Sequence, residues 1–309
     1  MQGISKKQIT LLFIVSSLIV VKANAQSTQD KDTTKSYFKA SLGYLSNAVY
    51  NGRQDSIVYP YITPTFGYYD KSGFYVNGSL SYLAASTEKR IDLFTLEVGY
   101  DFDIATNFSG GIYADKYFYN TASTNVKSDI KGVAGASFSY DFDVLQLSAG
   151  TDILFATKKD FSLNAGIGHA FTIGNEGNQW TINPTATVNA STLNFYEGYT
   201  NRRAGKNAQK NGANAGTVTS VTTITNRSNG LTLLDYELAL PISYDAPKWG
   251  FSFTPKLAFP QNPIHTSTTT KFKPNNGNGT ISQTYDSTPS TEINLGTPFF
   301  VELSAYIKF

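Results

Sequence analysis

Val301, Leu303, Ala305, Ile307 and Phe309 alternate at the end of the chain with Phe300, Glu302, Ser304, Tyr306 and Lys308. Successive side chains of a strand point to opposite faces, so this period of two makes one apolar and one polar face. The rhythm recurs. Leu145, Leu147, Ala149, Thr151, Ile153 and Phe155 form one apolar row, and Phe161, Leu163, Ala165, Ile167 and Phe171 form another. Trp249, Phe251, Phe253, Leu257 and Phe259 form a third. Alternation bounded by turn residues predicts strands near 37–46, 57–69, 74–86, 92–103, 108–120 and 129–141. Six more are expected near 144–156, 161–173, 179–192, 230–244, 249–262 and 298–309. Pro60, Pro64, Pro184 and Pro255 fall inside these spans. Proline cannot donate to a ladder, so local irregularity is expected there.

The connections carry independent information. Asp70–Gly73, Asp103–Asn107, Asp141–Asp143, Gly174–Asn178 and Asp245–Lys248 are short, and they are every second connection. Most of the others are longer, and those near 193–229 and 263–297 are very long. Such sorting follows the rule of membrane barrels, with short turns on one side and longer loops on the other. The fold class is therefore all-β: a transmembrane, antiparallel, up-and-down β-barrel of about 12 strands. Tyr69-Asp70, Tyr100-Asp101, Tyr140-Asp141 and Tyr244-Asp245 each close a strand that enters a short turn. Asp suits the turn because its side chain bonds backbone amides two residues on. Tyr suits the membrane interface, where the ring meets acyl chains and the hydroxyl meets water. Tyr69, Tyr100, Tyr140 and Tyr244, with Trp180 and Trp249, are expected to form an aromatic girdle at that rim.

Composition supports the same class. Twenty Tyr, 21 Phe and 25 Gly with a single Met do not suit a helical core. No Cys is present, so thiol chemistry and a His/Cys metal cluster are excluded, and neither metal nor cofactor is expected. Lys6 and Lys7 precede an apolar run from Ile9 to Val21 and the small residues Ala23-Asn24-Ala25. That is the pattern of a secretory signal peptide over residues 1–25, and the run falls short of the roughly 20 residues a spanning helix needs. A short segment, 26–36, would then lead into the barrel at 37–309. Removing Lys6, Lys7 and Lys22 turns the net charge of +2 slightly negative, which gives nucleic-acid binding no support.

The export signal ending Ala23-Asn24-Ala25-Gln26, the repeated Tyr-Asp turns and the closing Tyr306-Ile307-Lys308-Phe309 resemble outer-membrane β-barrels of Bacteroidota-type bacteria. The resemblance spans the mature chain and is architectural. It implies an integral outer-membrane location with both termini periplasmic, surrounded by lipid and lipopolysaccharide. It also implies that Val301, Leu303, Ala305, Ile307 and Phe309 are read by the barrel-insertion machinery. Asp32-Thr33-Thr34, Asp55-Ser56-Ile57 and Asp286-Ser287-Thr288 resemble the O-glycosylation sites of such bacteria.

With the apolar rows facing lipid, Glu97, Asp152, Glu237, Lys256 and Glu302 point inward near mid-height, and Asp235 lies one residue pair above Glu237. Glu237, Lys256 and Glu302 stand on three consecutive strands, where one Lys between two carboxylates makes a cross-strand charge cluster. Such a cluster either pins a narrow interior or selects solutes by charge. His265 and Ser267 have the His-x-Ser spacing that resembles outer-membrane phospholipases and lipid A deacylases, with Asp286 or Glu292 as possible third members. Pro260 and Pro263 interrupt the strand before them, and a nucleophile also needs an oriented base. Three readings follow. The leading one is a non-enzymatic, narrow passive channel or binding pore for small solutes. The second is a closed structural or surface-recognition barrel acting through its long loops, in which Arg202, Arg203, Lys206, Lys210 and Arg227 could meet anionic groups. The third is a lipid hydrolase using His265 and Ser267.

Overall fold

The computed structural model describes residues 35–54, 58–86, 88–123, 125, 127–175, 177–192, 194, 216–225, 230–262, 266–274, 281–286 and 296–309. Its strands in chain order are β1 Tyr37–Leu45, β2 Val49–Tyr50, β3 Arg53–Gln54, β4 Tyr61–Tyr69, β5 Phe74–Ala84, β6 Lys89–Ala105 and β7 Phe108–Tyr119. Then come β8 Gly132–Asp141, β9 Gln146–Phe155, β10 Lys159–Gly168, β11 Phe171–Asn175, β12 Asn178–Ile182, β13 Thr185–Ser191 and β14 Gly216–Thr225. The last are β15 Thr232–Ala239, β16 Ile242–Asp245, β17 Trp249–Pro260, β18 Thr266–Pro274, β19 Ile281–Asp286 and β20 Phe299–Lys308.

Neighbouring strands pair antiparallel around the wall, and the pairings of β20 with both β17 and β1 close it. Three staves are built from two segments each: β10 with β11, β12 with β13, and β15 with β16. Counted so, the described residues form a closed 12-strand barrel. Closure leaves no exposed edge, which a lipid environment requires because it offers backbone groups no partner.

The three split staves break along one seam. His169 and Ala170, Asn183 and Pro184, and Leu240 and Pro241 are the interrupting pairs, and Pro255 faces the last of them. Single bonds replace the ladder there: Asn183 N donates to Pro241 O at 2.9 Å, Leu240 N to Pro255 O at 3.1 Å and His169 N to Pro184 O at 3.3 Å. Prolines lack the donor that an unbroken ladder needs. Pro60 sits just before β4. At Pro64 the β4–β5 pairing passes from Ile62↔Tyr82 to Thr65↔Ser79 without changing register, and the Thr63 hydroxyl donates to Ser81 Oγ at 3.1 Å.

Burial alternates with the sequence period. Along β9 every residue from Gln146 to Leu154 in steps of two is buried, and every residue from Leu147 to Phe155 is exposed. Leu163 is 45% exposed and Ile153 38%, and Leu303, Ala305, Ile307 and Phe309 share that outward face. The exterior is thus an apolar belt, and the interior is polar. Tyr100, Tyr140, Trp180 and Trp249 stand exposed on the outside near the short turns, with Tyr244 between Trp180 and Trp249 at ring distances of 5.2 and 5.3 Å. Tyr69 corrects the expected girdle. It falls on the inward parity of β4, stacked on Tyr37 at 5.1 Å and Tyr75 at 5.8 Å, while Tyr68 takes the outward place against Phe38.

The second stave begins at Tyr61 and the sixth at Gly132, later than expected; Pro60 and Lys131 still bond the neighbouring staves, and the chain turns inward before them, with Tyr59 and Ile130 buried. Gly216–Thr225 belongs to a separate antiparallel sheet, β14–β18–β19, outside the barrel wall. Ser267 lies on β18 of that sheet, off the barrel wall, which corrects its expected outward place on the eleventh stave; in register it stands opposite Ile224 and Asp286. His265, Glu292, residues 1–34 and the loop cations from Arg202 to Lys210 and Arg227 lie outside the described residues.

The first short turn ties the chain's first stave to its second. Asp70 accepts from the Ser36 hydroxyl at 2.8 Å, the Ser72 amide at 2.9 Å and the Tyr68 hydroxyl at 3.1 Å. The Ser72 bonds first, and that of Ser36 after them, hold the Asp70 carboxyl well below the usual carboxylate range. A depressed folded value means its contribution is complete above about pH 4, the ordinary value, and is lost as pH falls from there through the folded one. The protection of the Lys71 and Ser72 amides against exchange, relative to the intrinsic rate at each pH, should therefore fall below about pH 4, and Asp70→Asn should remove that dependence. On the lipid face, Leu163→Arg should destabilise the barrel by about 2–4 kcal/mol in equilibrium unfolding from lipid vesicles.

Candidate functional site

The inward positions of the wall bring carboxylates and tyrosines together. Tyr61 donates to Asp92 at 2.7 Å, Tyr75 to Glu97 at 3.1 Å, Tyr117 to Asp115 at 2.9 Å and Tyr306 to Asp245 at 2.6 Å. Tyr113 donates to Asp152. Each bond gives a carboxylate a fixed donor and so orients it. Room for the rings comes from glycine. A Cβ on Gly135 would lie 2.5 Å from Tyr113 Cζ, and one on Gly99 2.3 Å from Tyr75 Cζ.

Of the residues expected to line the lumen, Glu237, Lys256 and Glu302 meet. Lys256 Nζ lies 3.0 Å from Glu302 Oε1 and 3.9 Å from Glu237 Oε1, and 5.8 Å from the centre of the Phe300 ring. Glu97 and Asp152 belong instead to the tyrosine-bound set on other staves. Asp235 is fully buried and accepts from Asn189 Nδ2 at 2.8 Å. Near the short-turn rim, Lys39 Nζ lies 4.5 Å from the Tyr306 ring centre and 5.7 Å from that of Tyr69. Among the described residues no group of three or more His, Asp or Glu side chains could hold a metal ion.

Toward the long-loop rim the lumen is filled. Residues 46–54, from the connection between β1 and β4, fold inward as the two-residue strands β2 and β3. Tyr50 is 1% exposed and Arg53 3%. The connection between β7 and β8 comes in beside them: Lys127 is fully buried, its Nζ 4.7 Å from the Tyr50 ring centre. Ser123 donates to Asp92 at 2.8 Å, and Asn125 Nδ2 reaches Tyr61 Oη at 3.4 Å. Residue parity did not point to Arg53 and Lys127, because they are on connections. Asp115 and the inward tyrosines did fall on readable strands, and the parity that placed Glu97 inward also places Asp115. Asp92 lies at a register shift of β6, which hides it from a simple count.

A closed antiparallel wall, apolar toward lipid and polar within, defines a transmembrane β-barrel of the outer-membrane type. No protein-family model matches the chain, and no curated protein matches it either. Among solved structures it is similar to a KdgM porin, with 8% identity and a TM-score of 0.45 over 88% of this chain and 99% of that one. It is also similar to the outer membrane channel DcaP of Acinetobacter baumannii, with 10% identity and a TM-score of 0.30 over 89% of this chain and 96% of that one. The barrel assignment rests on this chain's own strand pairing and the faces of its wall.

The phenol bonds also bear on stability. Tyr75→Phe should cost about 1.5–3 kcal/mol in equilibrium unfolding, the range for a hydrogen bond to a charged group. Tyr68→Phe, at the exposed turn, should cost less than about 1 kcal/mol because water replaces its bond.

Proposed function

We propose that the protein is an outer-membrane channel, narrow and passive, that admits small solutes and prefers cations. The observation that carries this reading is the interior itself. Asp92, Glu97, Asp115, Asp152 and Asp245 are held by tyrosine hydroxyls around a polar lumen, while Lys256 is bracketed by Glu302 and Glu237. Rings of fixed charge select ions by sign, and an acidic excess favours cations or basic solutes. Residues 1–25 act as the export signal, the chain from 37 to 309 as the barrel, and both termini face the periplasm. The terminal row from Val301 to Phe309 engages the insertion machinery, in the manner of Bacteroidota-type barrels.

A second reading, a closed barrel acting through surface loops, is favoured by two observations: side chains fill the long-loop mouth, and β14, β18 and β19 build a sheet apart from the wall. A planar bilayer separates the two readings. Residues 26–309 reconstituted across a salt gradient should give discrete conductance steps with a cation-selective reversal potential. Lys256→Ala should raise the cation-to-anion permeability ratio roughly fivefold, the factor for about 1 kcal/mol between charges 4 Å apart in water. Glu302→Gln should lower the ratio. Steps with no ion preference, unchanged in either variant, would sink the selectivity, and silence from a folded barrel would leave the surface reading.

A further inference from the structure

Residues 49–54 form a hairpin inside the barrel, and the chain leaves the wall just before them: Ser46 N donates to Val301 O at 2.9 Å and Ala48 N to Tyr59 O at 3.1 Å. Val49 pairs with Gln54 and Tyr50 with Arg53, and this ribbon pairs with no wall strand. Its turn, Asn51-Gly52, has positive φ at both residues (47° and 72°), the type I′ geometry that Asn-Gly suits. A two-stranded ribbon of this size is not stable alone, so its position depends on what its side chains grip.

One side chain grips the tip on the β15–β17 flank. Arg53 Nη1 donates to Leu234 O at 3.0 Å, and Nη2 to Gln261 O at 2.8 Å and Asn262 O at 3.1 Å. Nη1 also reaches Asn51 O at 2.6 Å, bracing the turn. Leu234 lies on β15, and Gln261 and Asn262 follow β17, so a single guanidinium fastens the tip to staves remote in sequence. The tip meets the wall closely: a Cβ on Gly52 would lie 3.0 Å from Asp235 Cβ and 3.1 Å from Pro260 Cα. On the other flank Tyr50 meets Lys127. Ala48 and Val49 pack with Leu45, Tyr59, Leu83 and Phe300 at the base.

We propose that residues 49–54 are a displaceable plug, anchored at its base by Ser46 and Ala48 and latched at its tip by Arg53, and that its release opens the long-loop mouth of the channel. This rests on the channel reading above. Segments held by side chains outside the main ladder open at lower free energy than the wall, which is what a gate requires.

The test uses the reconstituted full barrel, with folding of every variant checked by its heat-dependent migration in detergent gels. Arg53→Ala should raise the open fraction of single channels by roughly tenfold or more, the factor for losing one charge-assisted hydrogen bond. Arg53→Lys should fall between. Replacing Val49–Gln54 by two glycines should leave channels open throughout. A readout independent of conductance comes from Ala48→Cys, a unique thiol in a Cys-free chain. A water-soluble maleimide should label it slowly, and faster when Arg53→Ala is added. A conducting native barrel whose conductance and open fraction are unaltered by the two-glycine loop overturns the gate and leaves the channel reading intact. Silence from both barrels overturns both. Equal labelling rates with and without Arg53 overturn the latch.

Discussion

A wall that faces lipid has no water to satisfy its backbone, and this constraint organises the rest of the molecule. Each N–H and C=O at membrane depth needs a partner in a neighbouring strand, so the sheet must close. Closure falls on β20, which pairs with β17 on one side and β1 on the other. Its outward residues include Leu303, Ala305 and Ile307, and its inward ones Ser304 and Tyr306. The same strand therefore completes the ladder, the lipid belt and the polar interior. Where proline breaks the ladder, at Pro184, Pro241 and Pro255, the interruptions line up on adjacent staves. Shared placement lets single bonds bridge the seam, whereas scattered breaks would each leave donors bare in lipid.

The second constraint is inside. Alternation puts half of every strand's side chains into a lumen of limited width, and this chain fills it with tyrosines and carboxylates together. A carboxylate withdrawn from water needs donors, and a buried phenol needs an acceptor. Pairing them satisfies both. The arrangement around Lys256 works differently: one ammonium serves Glu302 directly and Glu237 at longer range. The phenol pairs of Asp92, Glu97, Asp115 and Asp152 stand on other staves, and of the five only Tyr306–Asp245 shares staves with this cluster.

Most of the wall could be read from the chain because the period of two is strict where each face meets a different medium. Strands such as β9 and β20 are delimited within a residue or two of the expected spans. The reading failed where that contrast fails. Tyr69 sits at the rim, where a tyrosine suits either face, and only the parity set by Thr63 and Gly67 places it inward. Asp92 sits at a register shift, and a single extra residue reverses the count beyond it. The connections carry no period at all, so neither the inward path of residues 46–54 nor that of Lys127 could be derived from alternation.

One local signal did mark the inward hairpin. Val49-Tyr50-Asn51-Gly52-Arg53-Gln54 is a two-residue turn between short extended pairs, the pattern of a tight hairpin. What it does not say is where the hairpin goes. Tyr50 and Arg53 are non-hairpin signals in this sense: an exposed hairpin tip has no use for a large ring beside a guanidinium, whereas a tip lodged in a lumen can stack one and hydrogen-bond the other. Arg53 is suited to the place because its planar fork reaches several carbonyl oxygens at once, which a lysine ammonium does less well. Carbonyls carry no charge, so the latch holds without competing with the acidic lumen for its counter-ions. The wall supplies the rigid frame, and the latch proposed above sits on a ribbon outside its ladder.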